Sequence, residues 1–158
     1  MDIYRIPRRE ASVRILLDDG RTLDGNLFTS ETGPGGRPED VLHYLNETDE
    51  GFVPLLCGGD SFLLNKAGIV WVQLTGALAR EIAGDAVDAR HVPARVSLAG
   101  GLSVFGTLAI AMPQERSRVL DYLNAAGRFL PLLGEGTVTL VQCRFVVTVR
   151  SGTGAQRV

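Results

Sequence analysis

Val41-Leu42-His43-Tyr44-Leu45-Asn46, followed after five residues by Phe52-Val53-Pro54-Leu55-Leu56, returns later in the chain. The second occurrence is Val119-Leu120-Asp121-Tyr122-Leu123-Asn124, followed after four residues by Phe129-Leu130-Pro131-Leu132-Leu133. The offset is 78 residues across the first block and 77 across the second. Matching at a fixed offset indicates internal duplication, which decides how every other segment is read.

Working outward, the flanks agree in pattern. Val13 and Ile15 answer to Val96 and Leu98, and Gly20, Leu23, Gly25 and Leu27 answer to Gly101, Val104, Gly106 and Leu108. Ile69-Val70-Trp71-Val72 answers to Val146-Val147-Thr148-Val149. The two copies cover residues 11–74 and 94–150. They imply a first unit over 1–76, a linker with a short helix over 77–93, and a second unit with a tail over 94–158.

Each copy opens with residues alternating in polarity, the strand period of two: Val13, Ile15 and Leu17 point one way, Arg14 and Leu16 the other. Asp19-Gly20 supplies a hairpin turn, and Leu23, Gly25 and Leu27 return as a second strand. Gly25 and Gly106 hold the same place in that strand, where a glycine marks a bend or bulge. The period then changes. Gly36-Arg37-Pro38-Glu39-Asp40 reads as a helix start, with Pro113-Gln114-Glu115 in the second copy. Val41, Leu42 and Leu45 give the helix one apolar face, and Asn46 and Asn124 stand where a left-handed cap would end it. Three more strands are expected near 52–56, 61–66 and 68–74, and again near 129–133, 137–142 and 144–150. The last of each set is apolar on both faces, as a central or paired strand would be. Between the copies, Ala77 to Ala83 reads as two helical turns ended by Gly84, Asp85 to Pro93 as linker, and residues 151–158 as a frayed tail.

This pattern resembles the Sm-like barrel family. Val13 to Leu27, V-R-I-L-L-D-D-G-R-T-L-D-G-N-L, looks like that family's first segment; Leu64 to Val72 looks like its second, and Val141 to Val149 repeats it weakly. The resemblance implies a fold that is mainly β with short helices. It would be two tandem copies of a small five-stranded bent-sheet barrel, each with a helix inserted after strand two. It also implies the family's habit of joining strand edges into rings. It does not carry over the RNA pocket. The family's Asp and Asn after strand two are replaced by a Gly-Pro loop, and its Arg-Gly pair by Lys66-Ala67 and Cys143-Arg144.

The chain has 158 residues, 45% hydrophobic and 22% charged, enough to fill a core. No apolar run approaches the roughly 18 residues of a membrane span, and no apolar stretch follows Arg5, Arg8 and Arg9, so a cytoplasmic protein is expected. Cys57 and Cys143 fall at non-equivalent places and read as unpaired thiols. Residues 11–74 carry four basic and ten acidic side chains, a net −6; residues 94–150 carry six and three, a net +3. An acidic half joined to a basic half suits contact between unlike copies better than uniform nucleic-acid binding.

No pattern of catalytic or metal-binding residues emerges, and no cofactor is expected. His43 and His91 lack neighbours at ligand spacing. Gly33-Pro34-Gly35-Gly36-Arg37 lacks the lysine and hydroxyl of a phosphate loop and reads as a connector. Asp18, Asp19 and Asp24 gather at one hairpin and read as turn formers. The leading expectation is a non-enzymatic assembly or regulatory module that self-associates through strand edges or meets a protein partner. The second is RNA or DNA binding through the basic copy, by Arg116, Arg118, Arg128 and Arg144. The third is a small-ligand or enzymatic site between the copies.

Overall fold

The computed structural model describes residues 8–47, 49–111 and 118–152. The described residues are mainly β, with three short α-helices and one open, antiparallel ten-stranded sheet. The elements run β1 (Arg8–Leu17), β2 (Thr22–Ser30), α1 (Val41–Glu47), β3 (Phe52–Cys57), β4 (Asp60–Asn65), β5 (Ile69–Thr75) and α2 (Gly76–Gly84). They continue with β6 (Arg90–Leu98), β7 (Ser103–Ile110), α3 (Val119–Ala125), β8 (Phe129–Leu133), β9 (Thr137–Gln142) and β10 (Val146–Ser151). Across the sheet the order is β10-β6-β7-β8-β9-β5-β1-β2-β3-β4. The same five-strand order thus occurs twice, and β9 against β5 is where the two sets meet.

In β1 the alternation does what the residues require. Ala11, Val13, Ile15 and Leu17 are buried against one core while Arg14 points to solvent. Gly20 closes the hairpin at φ 91°, a conformation that costs glycine nothing. Registers correct the matching of the first strands. Ile15 lies opposite Val72 and Val96 lies opposite Val149, so Ile15 corresponds to Val96 and Leu17 to Leu98. Each of these strand pairs skips one residue on the later strand, Val70 in β5 and Val147 in β10.

Gly25 and Gly106 sit where the neighbouring strand crosses closest. A Cβ on Gly25 would lie 2.7 Å from the Leu56 carbonyl oxygen, and one on Gly106 would lie 2.8 Å from Leu132 Cβ. The ladder there is one residue pair wide, Asn26 with Leu56 and Thr107 with Leu133. The glycines therefore admit a backbone at close range while the strands part company.

Four expectations need correction. Helix α1 begins at Val41, not within residues 36–40; Pro34–Gly36 forms its own 3-10 turn, and Asp40 Oδ1 accepts the His43 N–H at 2.7 Å. Asn46 and Asn124 are inside their helices, and no non-glycine residue among those described has positive φ, so neither is a left-handed cap. Residues 90–93 are strand rather than linker, because Val92 extends the alternation of Ala94 and Val96 onto the second core. Ser151 ends β10 and the Gly152 N–H donates to Pro93 O at 3.0 Å, so the tail starts no earlier than residue 153. The expected helix start at 113–115 and residues 153–158 lie outside the described residues. The remaining strands fall within about two residues of expectation, although β10 is paired on one side only.

Candidate functional site: the seam and its unpaired counterparts

β5 and β9 pair antiparallel from Trp71 opposite Val141 to Thr75 opposite Thr137. The seam is more than a ladder, because the two cores trade residues across it. Phe129, Val138 and Leu140 of the second half pack into the core built on β1. Leu16 and Val70 of the first half pack into the core built on β6. Neither half closes its own interior alone.

Polar groups fasten the same line. Asn46 Oδ1 accepts the Phe129 N–H at 2.7 Å, and its Nδ2 donates to the Phe129 carbonyl at 3.3 Å. The side-chain amide thus stands in for a strand at the start of β8. Gln142, buried at the end of β9, donates through Nε2 to the carbonyls of Lys66 (3.0 Å) and Ile69 (2.6 Å), and its Oε1 accepts from Arg128 Nε at 2.8 Å. Lys66 is fully buried and its Nζ donates to Leu45 O at 3.1 Å. Burial, and then the neighbouring Arg128 charge, hold its pKa below the ordinary lysine value.

The proposed nucleic-acid residues are used differently. Arg128 is spent on Gln142, and Arg144 donates to the Ala67 carbonyl and lies over the Phe145 ring. Both sit at the seam. Arg118 pairs with Asp121 at 2.8 Å at the start of α3, and Arg116 lies outside the described residues. The other candidates also have local partners. Asp19 holds Arg21 and Asp24 holds Arg14, and each arginine draws its carboxylate below its usual pKa. His91 meets the Ala86 carbonyl, and both cysteines are free thiols. Among the described residues no three His, Cys, Asp or Glu side chains gather as metal ligands, and no helix is long and apolar enough to cross a membrane.

Among the described residues, hollows accompany this frame. One of about 340 Å³ lies beside the end of α2 and is lined by Arg37, Glu39, Asp40, His43, Glu81 and Asp85. Its charges are matched internally: Glu81 takes two bonds from Arg9, Asp85 faces Arg37, and Glu39 bonds His43. Another, about 310 Å³, lies across the seam between α1 and α3, with Leu42, Asn46, Tyr122 and Phe129 in its wall. The Asn46 amide in this wall is occupied by the Phe129 backbone, and Tyr122 brings a half-buried phenol.

Among the described residues, the open ends of the sheet are β4 and β10. In the first half β4 holds the place of β9, since Phe52 opposite Asn65 matches Phe129 opposite Gln142. In the second half β10 holds the place of β5. The exposures reverse between the paired and unpaired versions. Phe129 is 1% exposed and Phe52 59%; Leu140 is 0% and Leu63 73%; Val70 is 6% and Val147 66%. Apolar groups that the seam covers are uncovered at the two ends. Sequence alone gives Asn46 as a cap and Lys66 as a departure from the Arg-Gly pair, and assigns none of Asn46, Gln142 and Lys66 to a contact between the halves. The signal available was Asn at the same place in both matched blocks. No family model, curated protein or solved structure matches this chain.

Proposed function

We propose that the chain is a non-enzymatic assembly module, a tandem of two Sm-like units whose β4 edge pairs with the β10 edge of another copy. One observation carries this reading: Leu63 and Val147 on the edge strands, and Phe52 at the start of the adjoining β3, are exposed, while their counterparts Leu140, Val70 and Phe129 are buried at the seam. Large apolar side chains on an unpaired edge invite addition of a strand. Applying the seam register to the edges sets Val149 opposite Leu63 and Thr148 opposite Leu64. Each added chain presents the same free edge again, so the contact closes into a ring or continues as a filament. The −6 and +3 charges of the two halves favour this head-to-tail order over like-with-like pairing.

Native mass spectrometry and light scattering test the reading on freshly purified protein. The wild-type chain should form assemblies of two or more copies without bound nucleic acid. Leu63→Arg and Val147→Arg should each return it to a folded monomer. A wild type that stays monomeric at high concentration, or that co-purifies with nucleic acid and assembles only around it, overturns the reading.

A further inference from the structure

The internal seam carries a side-chain lock whose parts recur at the free ends. Asn46 is the sixth residue of the seven-residue α1, and Asn124 is the sixth of the seven-residue α3. Phe129 opens β8 and Phe52 opens β3, each facing the last residue of the next strand. Asn46 grips the Phe129 backbone with both ends of its amide. Asn124 is exposed, and so is Phe52. Leu42, which lines the seam hollow beside Asn46, has Leu120 as its counterpart, and Leu120 is also exposed.

One position differs. The Lys66 N–H donates to Gly51 O and the Cys143 N–H donates to Arg128 O, which aligns Gly51 with Arg128 and therefore Glu50 with Gly127. A Cβ on Gly127 would lie 2.9 Å from Asn46 Nδ2 and 3.0 Å from its Cγ. Glycine there is what lets the amide come in. Glu50 brings a Cβ to the matching place. The amide is the end of a side chain and can shift, but not without loosening its two bonds.

Building on the assembly reading, we infer that Asn124 is the lock of the contact between chains. Its amide grips the Phe52 backbone of the next copy, and Glu50 of that copy keeps the grip weaker than the internal one. The contact between copies is then reversible while the seam is permanent. The occupant of the β4 edge is a second copy of this chain, because its α3 and β10 repeat the α1 and β5 that hold β8 and β9 at the seam, with Asn124 at the helix position of Asn46.

Sedimentation velocity over a dilution series, on wild type, Asn124→Ala, Asn124→Asp and Glu50→Gly, tests this. Asn124→Ala should weaken association about tenfold, the loss of two hydrogen bonds, with the melting temperature of the monomer unchanged. Asn124→Asp keeps the acceptor and loses the donor, and should fall between. Glu50→Gly should tighten association. An assembling wild type indifferent to Asn124→Ala and Glu50→Gly overturns the lock and leaves the assembly reading standing. A wild type that never assembles removes both.

Discussion

Asn46 and Phe129, 83 residues apart, are joined by a two-way hydrogen bond in which the Asn46 side chain plays the part of a neighbouring strand. The Phe129 ring is buried in the first half's core, and its backbone begins the second half's β8. One residue therefore reports on both halves, and its partner is the place to test whether they fold together.

Asn46→Ala leaves the Phe129 N–H and carbonyl without their partner at a buried residue. The expected loss is about 1–3 kcal/mol of unfolding free energy, the range for stranded buried polar groups. Chemical denaturation followed by two probes, Trp71 fluorescence and circular dichroism, measures it. A single shifted transition is expected, since the cores share residues across the seam. Two separated transitions would contradict that sharing.

Gln142 satisfies two carbonyls of the 66–69 turn and holds Arg128 in place. Gln142→Leu fills similar volume, takes the amide donor from the Ile69 carbonyl and the acceptor from Arg128 Nε, and leaves the Lys66 carbonyl its bond from the Ile69 N–H. A cost of about 1–3 kcal/mol is expected in urea titrations. Asn65→Ala, at the corresponding place in the first half, removes only a local bond to the Ala67 N–H and should cost clearly less.

Gly25→Ala and Gly106→Ala place a methyl against backbone or a packed Cβ. Each should destabilise by about 1–3 kcal/mol through overpacking. Gly20→Ala instead meets open space and suffers from its positive φ alone. Thermal melts of the three variants separate the two mechanisms. Equal losses at all three sites would mean that close strand approach is not what selects glycine at 25 and 106.

Lys66 gives a pH prediction with a definite sign. Its folded pKa is lowered from 10.5 by burial, so the folded chain sheds this proton before the unfolded chain does. Wherever the unfolded state binds more protons, stability rises with pH. Wild-type stability relative to Lys66→Met should therefore rise between the lowered folded pKa and 10.5, then level off. Tyr44 and Tyr122, whose pKa values burial raises, act in the opposite sense but equally in both proteins. Urea midpoints from neutral pH to pH 11 supply the comparison. A difference flat with pH would mean the buried ammonium carries no penalty.

The legible part of the fold is local. Period-two alternation located β1 and β2, Asp19-Gly20 located their turn, and the i, i+1, i+4 spacing of Val41, Leu42 and Leu45 located α1. The misplacements were local as well. The helix begins at Val41, just after the 36–40 segment, with Asp40 accepting the His43 N–H, and Val92 carries β6 back through what reads as linker. The candidate site was hardly legible. Nothing in its sequence setting marks Gln142, Lys66 stands out only as a departure from the Arg-Gly pair of the Sm-like pattern, and Asn46 reads as a cap. Arg128 and Arg144 were noticed for their charge but are bonded to the seam.

What the sequence by itself determined is that two similar sets of strands exist, each with a helix after its second strand. Alternation and spacing state which face of a segment must be covered, and that information is carried within a few residues. What only the tertiary structure decided is which neighbour does the covering. Phe52 and Phe129 stand in the same local setting, yet one is 59% exposed and the other 1%. The difference arises because β9 has β5 beside it and β4 stands at the sheet's end. Burial of a strand's edge depends on a partner distant in sequence, and no pattern within the strand records whether that partner is present.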